Sequence, residues 1–288
     1  MSETTPAAHS GTFKIGGDLE VYRLGYGAMQ ITGKGIWGPP ADHDSAIRVL
    51  RRCLDLGINL IDTADSYGPH VSEELIAEAL HPYPDGLVIA TKAGLTRTGP
   101  NQWPVNGDPS YLRSCLDGSL KRLKVDVIDL YQLHRIDDKV PLEDQVGVFV
   151  EAQQAGKVRH IGLSEVTTDQ LARAQKVATI ATVQNRYNVA DREWESVVDA
   201  CGQQNIGFLP WFPLATGSLA KEGGPLDTMA SKRGVAPSQV ALAWLLQRSP
   251  VMLPIPGTSS VEHLEENMVG ASVRLSDDEM AELTSAVS

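Results

Sequence analysis

The chain is short of cysteine, of clustered basic charge and of long apolar runs. Its three cysteines, Cys53, Cys115 and Cys201, are widely spaced and fall in helix-like segments. No histidine stands at metal-ligand spacing from them, so they read as small buried apolar residues and no metal is expected. The net charge is −11 and no Lys/Arg cluster interrupts it, which argues against a nucleic-acid partner. An acidic chain can still hold a phosphorylated cofactor locally, at helix N-termini. No apolar stretch approaches the roughly 18–20 residues of a membrane span, and no basic-then-apolar signal segment opens the chain. A cytoplasmic location with no membrane partner is therefore expected. The Gly-x-Gly-x-x-Gly fingerprint is absent as well, so a Rossmann cofactor site has no support.

What is present is a regular alternation. The 288 residues are 42% hydrophobic and 21% charged, enough for one large core and too apolar for extended disorder. Residues 1–11 are small and polar and are expected to form a flexible tail, with residues 12–288 as one domain. Phe13-Lys14-Ile15, Gly16-Gly17 and Asp18 through Val21 read as a β-hairpin that plugs one end of a barrel. Eight strand candidates follow: Leu24–Tyr26, Asn59–Asp62, Val88–Lys92, Val127–Leu133, Val158–Leu163, Thr182–Gln184, Gly207–Leu209 and Val251–Pro254.

Helical patterns lie between these strands. Ile47, Leu50 and Leu54 share one face. Asp108-Pro109 reads as an N-cap followed by proline at the first helical position, ahead of Leu112, Leu116, Leu120 and Leu123. Pro237 to Gln247 is apolar nearly all round, which predicts a covered helix. Ser259 with Glu262, and Ser276 with Glu279, match the capping box, and the helix after Ser276 is extra to the eight units. The expected fold is an α/β (β/α)8 barrel with an N-terminal hairpin and additional C-terminal helical structure.

In such barrels the chemistry sits at the C-terminal ends of the strands. The polar residues there are Asp62, Lys92, His134, Ser164-Glu165 and Gln184-Asn185, with the segment around Trp211. Tyr67 lies five residues past Asp62. This phenol, ammonium, carboxylate and imidazole resemble the catalytic set of the aldo-keto reductases, and the resemblance implies carbonyl reduction. That reaction delivers hydride to carbon and leaves charge on oxygen, so a proton donor and a hydrogen-bond donor are needed. A phenol, with a pKa of about 10, is a poor donor near neutrality unless a cation favours the phenolate. Lys92 can supply that charge, Asp62 can keep a buried lysine protonated, and His134 can direct the carbonyl oxygen.

These residues carry a resemblance. The run Gly57-Ile58-Asn59-Leu60-Ile61-Asp62-Thr63-Ala64-Asp65-Ser66-Tyr67-Gly68 resembles the aldo-keto reductase signature around the catalytic aspartate and tyrosine. Ala90-Thr91-Lys92 and Tyr131-Gln132-Leu133-His134 resemble its lysine and histidine motifs. Ile161 to Ser164, Val183 to Asn185, and Ile255 to Thr258 through Asn267 resemble its cofactor segments. The resemblance spans about residues 12 to 285. It implies catalytic roles for Tyr67, Asp62, Lys92 and His134, and NADPH as cofactor, with NADH as the alternative.

By the same resemblance, Ser164 and Gln184 hold the nicotinamide carboxamide, Trp211 lies against the nicotinamide face, and Glu266 and Asn267 contact adenine. Three positions depart from the pattern. Glu165 stands where many members have asparagine, Gly257 where many have lysine, and His263 where many have arginine. Thr258 and Ser259 at a helix start can still hold a phosphate, and Lys221 is expected to add charge. The loops over residues 33–40, 94–107 and 215–225 are expected to form the substrate rim, with Trp37 and Trp103 as apolar walls.

The opening from Arg23 to Gln30, Trp37-Gly38-Pro39-Pro40 and Tyr67-Gly68-Pro69-His70 are similar to bacterial reductases related to pyridoxal reductases. The expected partner is a small carbonyl substrate, on a monomer or small homo-oligomer. Two other readings stay open: a cofactor-binding regulatory subunit of the potassium-channel β type, and a phosphate-binding barrel isomerase or aldolase using Lys92 or a carboxylate.

Overall fold

A computed structural model describes residues 5–214 and 223–286. The expected hairpin is there. β1 (Thr12–Ile15) pairs antiparallel with β2 (Leu19–Tyr22), Ile15 opposite Leu19. Phe13, Ile15, Leu19 and Val21 point to one face and are buried. They join the cluster that fills the barrel.

The barrel wall is a seven-stranded parallel sheet in sequence order, β3 (Tyr26–Gly27), β4 (Leu60–Asp62), β5 (Val88–Ala93), β6 (Ile128–Leu133), β7 (Val158–Ser164), β8 (Ile180–Gln184) and β9 (Gly207–Phe208). The eighth position is an extended segment. Val251 O and Leu253 N bond Phe208 at 2.8 Å each, and Pro254 O accepts from Gly25 N at 2.9 Å, so the segment bridges β9 to the start of β3 and closes the ring. The expected strand over 251–254 thus lies where it should, although too short a ladder forms for a regular strand. Lys92 pairs in register with Gln132, Gln132 with Gly162, and Gly162 with Thr182. A side chain at Gly162 would collide with Thr182 and Gln132, so glycine here lets two inward polar groups converge.

Helices α1 (His43–Asp55), α2 (Val71–Leu80), α3 (Pro109–Leu123), α4 (Leu142–Gln154), α5 (Thr168–Ala174), α6 (Glu195–Gln204), α7 (Pro225–Arg233), α8 (Pro237–Arg248), α9 (Val261–Val269) and α10 (Asp277–Ala286) cover the sheet among the described residues. Local signals explain their starts. The Asp108 carboxylate accepts from the backbone N–H of Ser110 and Tyr111, with Pro109 at the first helical position. Ser276 and Glu279 form the expected reciprocal cap of α10. The expected cap at Ser259 is corrected by one residue: Ser260 Oγ accepts from His263 N, because Thr258 Oγ1 already takes Ser260 N and turns the chain into α9 there. In α8, Gln239 to Leu246 are all buried, as all-round apolarity requires. All three cysteines are free and buried.

The expected tail over residues 1–11 is corrected for its second half. Pro6–Ser10 form a 3-10 helix with Ala7 and Ser10 buried. Ala7 N donates to Leu56 O, Leu24 N to Ser10 Oγ, and Arg274 to His9 O. Small residues pack here because α1 and α9 approach closely, which composition alone does not reveal. Lys221 and the loop residues 215–222 lie outside the described residues.

The hairpin lies at the N-terminal ends of the strands, where Asp18 accepts from Arg159 and contacts His160 at the start of β7. An Ile15→Ala substitution removes a fully buried side chain there, far from the C-terminal ends. It should cost about 2–4 kcal/mol of unfolding free energy, read by denaturant titration, while leaving ligand binding at the other end intact.

Candidate active site

Four residues meet at the C-terminal end of the barrel. Asp62 ends β4 and Lys92 lies near the end of β5; both are buried and their side chains pair at 2.6 Å. Lys92 Nζ also donates to Thr63 O at 2.7 Å and lies 5.2 Å from the centre of the Tyr67 ring. Asp62 Oδ1 accepts from Gln132 Nε2 at 3.1 Å and from Gln184 Nε2 at 2.8 Å. The carboxylate is thus filled by three donors, as burial of a charge demands. Tyr67 is brought in by the turn after β4, where Tyr67 N bonds Ala64 O. His134 follows β6, its ring 5.8 Å from that of Tyr67 and at 79° to it.

The electrostatics follow from burial and neighbours. Burial, the largest influence on Lys92, would strip its proton, but Asp62 and Tyr67 outweigh it and hold the pKa above the usual lysine value. Burial also dominates at Tyr67. It lifts the phenol above its usual pKa, while Lys92 pulls the other way. The expectation that the ammonium brings the phenol below its ordinary value is therefore corrected: Lys92 offsets only part of the desolvation. Near neutrality Tyr67 is a protonated phenol, a donor rather than a base. Burial, then the charges of Lys92, Arg135 and Arg97, hold His134 well below the usual histidine pKa. Its ring is neutral, and Ser66 Oγ lies 3.3 Å from Nδ1. With the serine hydroxyl donating there, the ring proton stands on Nε2, where a carbonyl oxygen can accept it.

The two tryptophans expected at the rim lie on loops near Tyr67, with Trp37 bridging to Gly68. Trp103 lies edge-on to Tyr67, ring centres 6.3 Å apart, and Trp37 is 37% exposed. Arg97 joins them. Its guanidinium lies 3.6 Å from the Trp103 ring centre and 5.5 Å from that of Trp37. It donates to Ile36 O, Gly35 O, Gly99 O, Gln102 O and Ser66 O. One side chain thereby fastens the loops over 33–40 and 94–107 to the turn that carries Tyr67.

Ser164 ends β7, its hydroxyl accepting from Arg135 Nη1 at 3.0 Å. Glu165 sits at φ 55°, in the left-handed region, and Glu165 Oε1 accepts from Trp211 Nε1 at 2.6 Å and Arg186 N at 2.7 Å. The departure from asparagine thus gives Trp211 a charged acceptor that fixes its ring. At α9, Gly257, Ser259 and His263 are exposed, Glu266 is half-buried, and Thr258 and Asn267 are buried. Tyr26, on β3, ties this turn to the barrel by donating to Thr258 O at 2.7 Å.

A family model for the aldo/keto reductase family matches residues 23–288. The chain belongs to the aldo/keto reductase family. A pyridoxine 4-dehydrogenase of Escherichia coli is 46% identical over 280 residues, 95% of this chain and 97% of that protein. An uncharacterized oxidoreductase of Schizosaccharomyces pombe is 51% identical over 282 residues, 98% of this chain and 92% of its own length. Among solved structures, a glycerol dehydrogenase from Gluconobacter oxydans superposes with TM-score 0.87 at 28% identity, covering 96% of this chain and 95% of that one. An aldo-keto reductase from Klebsiella pneumoniae in complex with NADPH does so at 0.80 and 27% identity, covering 94% and 93%.

Sequence reasoning missed several members of this aldo/keto reductase's site. Gln132 lies two residues before His134 on β6, so the period-2 alternation of a strand could have shown that it shares the inward face. Ser66, Arg97 and Arg135 gave no such signal. Behind the site, Asp65 is buried, and among the described residues its Oδ1 has no hydrogen-bond partner. Burial, reinforced by Glu73, raises its pKa to about 7 against pulls from Cys115 and Arg122. A folded-state pKa above the unfolded value means stability present below about pH 4 and lost as pH rises through about 7. The thermal midpoint of Asp65→Asn should therefore gain on the parent between pH 5 and pH 8. A constant difference between the two proteins across that range contradicts the assignment.

Proposed function

We propose that this aldo/keto reductase is an NADPH-dependent carbonyl reductase that takes pyridoxal to pyridoxine, with Tyr67 as proton donor. The observation that carries the reading is the buried Lys92–Asp62 pair at 2.6 Å beside the Tyr67 ring. The Klebsiella neighbour, solved with NADPH, supports the cofactor, and the Escherichia coli relative supports the substrate.

The residues present fit a nicotinamide dinucleotide. Ser164 Oγ accepts from Arg135, so its own hydrogen is free for a carboxamide oxygen. Gln184 spends its amide nitrogen on Asp62 and retains a carbonyl oxygen for an amide donor. Trp211, held by Glu165, presents an aromatic face. Gly257, Thr258, Ser259 and His263 stand at the start of α9, where backbone N–H groups suit a phosphate, with Glu266 and Asn267 on the adenine side. When bound, reduced nicotinamide supplies the hydride.

The chain's own residues do the rest. His134 Nε2–H fixes the carbonyl oxygen. Tyr67 passes its phenolic proton to that oxygen, and Lys92, kept charged by Asp62, stabilises the phenolate left behind. Trp37 and Trp103 exclude water.

Tyr67→Phe should lower kcat for aldehyde reduction by at least about 100-fold while leaving NADPH affinity, measured by fluorescence titration, within about twofold. Equal loss of both would point to damaged folding. Because burial holds Tyr67 protonated through neutral pH, reduction should be flat there and decline only in the alkaline range, as the phenol ionises. The reverse oxidation should rise over that same range. Tight NADPH binding with no turnover of any aldehyde would instead favour a regulatory subunit.

A further inference from the structure

We propose that Arg135 is a substrate-binding residue that selects aromatic aldehydes bearing an anionic oxygen group. The inference rests on the carbonyl-reductase reading above and narrows its substrate class.

Arg135 follows His134 directly at the mouth of the barrel. Its Nη1 donates to His134 O at 2.6 Å and to Ser164 Oγ at 3.0 Å. Among the described residues, no other hydrogen bond leaves this guanidinium and no carboxylate pairs with it. Other arginines spend their donors elsewhere: Arg113 pairs with Glu151, Arg122 with Glu73 and Arg173 with Glu143, while Arg23 and Arg274 each bond three backbone carbonyls. Arg97, the other cation at the mouth, spends its donors on five carbonyl oxygens. Arg135 thus keeps donors for a ligand.

It is also partly withdrawn from water; burial pulls its pKa down against the charge of the nearby Glu165 carboxylate, which does not bond it, and a guanidinium stays charged. A desolvated cation with unfilled donors favours an anion strongly, because a bidentate charge-assisted bond replaces lost hydration. The position suits substrate. The charge of Arg135 acts on both the Tyr67 phenol and the His134 ring. Its guanidinium lies 5.8 Å from the Trp211 ring centre. Trp103 flanks Tyr67. Arg135 is bonded to the carbonyl of His134 itself, so an anion held there lies beside the groups that act on the carbonyl. Pyridoxal, with an ionisable hydroxyl beside its aldehyde, belongs to the proposed class.

The test compares the three carboxybenzaldehyde isomers with their methyl esters, as kcat/KM with saturating NADPH. At least one acid should exceed its ester by about tenfold or more, since hydrogen bonds to charged groups contribute roughly 1.5–3 kcal/mol. Arg135→Gln should bring that acid-to-ester ratio to near one, and Arg135→Lys should leave it between. Ratios near one for all isomers in the parent enzyme, or an unchanged ratio in Arg135→Gln, overturn the proposal. Binding of benzoate to the NADPH-loaded protein, with benzamide as neutral control, reads the same selectivity without turnover. Benzoate should bind about tenfold more tightly than benzamide in the parent and not in Arg135→Gln. Absence of turnover for acids and esters alike would sink the reductase reading, and equal binding of benzoate and benzamide would sink this one.

Discussion

The buried pair between Lys92 and Asp62 is the constraint around which the mouth of this barrel is built. Two side chains with almost no exposure face each other at 2.6 Å. Taking such charges out of water costs several kcal/mol per ion, and only close pairing with every remaining lone pair filled offsets it. Much of that demand is met: Thr63 O takes a second proton of Lys92, and Gln132 and Gln184 fill the other oxygen of Asp62. Those donors come from β6 and β8, so the pair draws together side chains from strands that are not neighbours in the sheet.

The rest of the mouth is arranged by the same need to satisfy buried polar groups. Glu165 holds the Trp211 indole, Ser66 addresses His134, and Arg97 gathers five carbonyl oxygens from two loops and the Tyr67 turn. The opposite end of the barrel is sealed by apolar packing, with Phe13, Ile15, Leu19 and Val21 of the hairpin pressed into the core. The hairpin end is therefore held chiefly by apolar burial, with Asp18 bonded to Arg159 and His160 beside it, and the other end by a polar network with donors to spare.

Much of the architecture was legible because its signals are local. Asp108-Pro109 and Ser276 with Glu279 start helices where the sequence places them. Glycine at 16 and 17 turns the hairpin at the expected place. The errors also have local causes. Ser260 rather than Ser259 caps α9 because the Thr258 side chain takes the Ser260 N–H. Residues 5–11 are composed like a tail but pack because Leu56 and Arg274 reach them. The sign of the Tyr67 shift depended on how completely the ring is desolvated, which a charge neighbour alone does not reveal.

Strand and helix periodicity, together with the polar residues at strand ends, determined the barrel and brought Asp62, Lys92 and His134 to one rim, since alternation and 3.6-residue spacing are properties of the chain itself. Tertiary structure alone decided which donors those groups retain. Whether Arg97 is spent on carbonyls and Arg135 is not depends on where distant loops place their oxygen atoms, and no residue's identity encodes that distance.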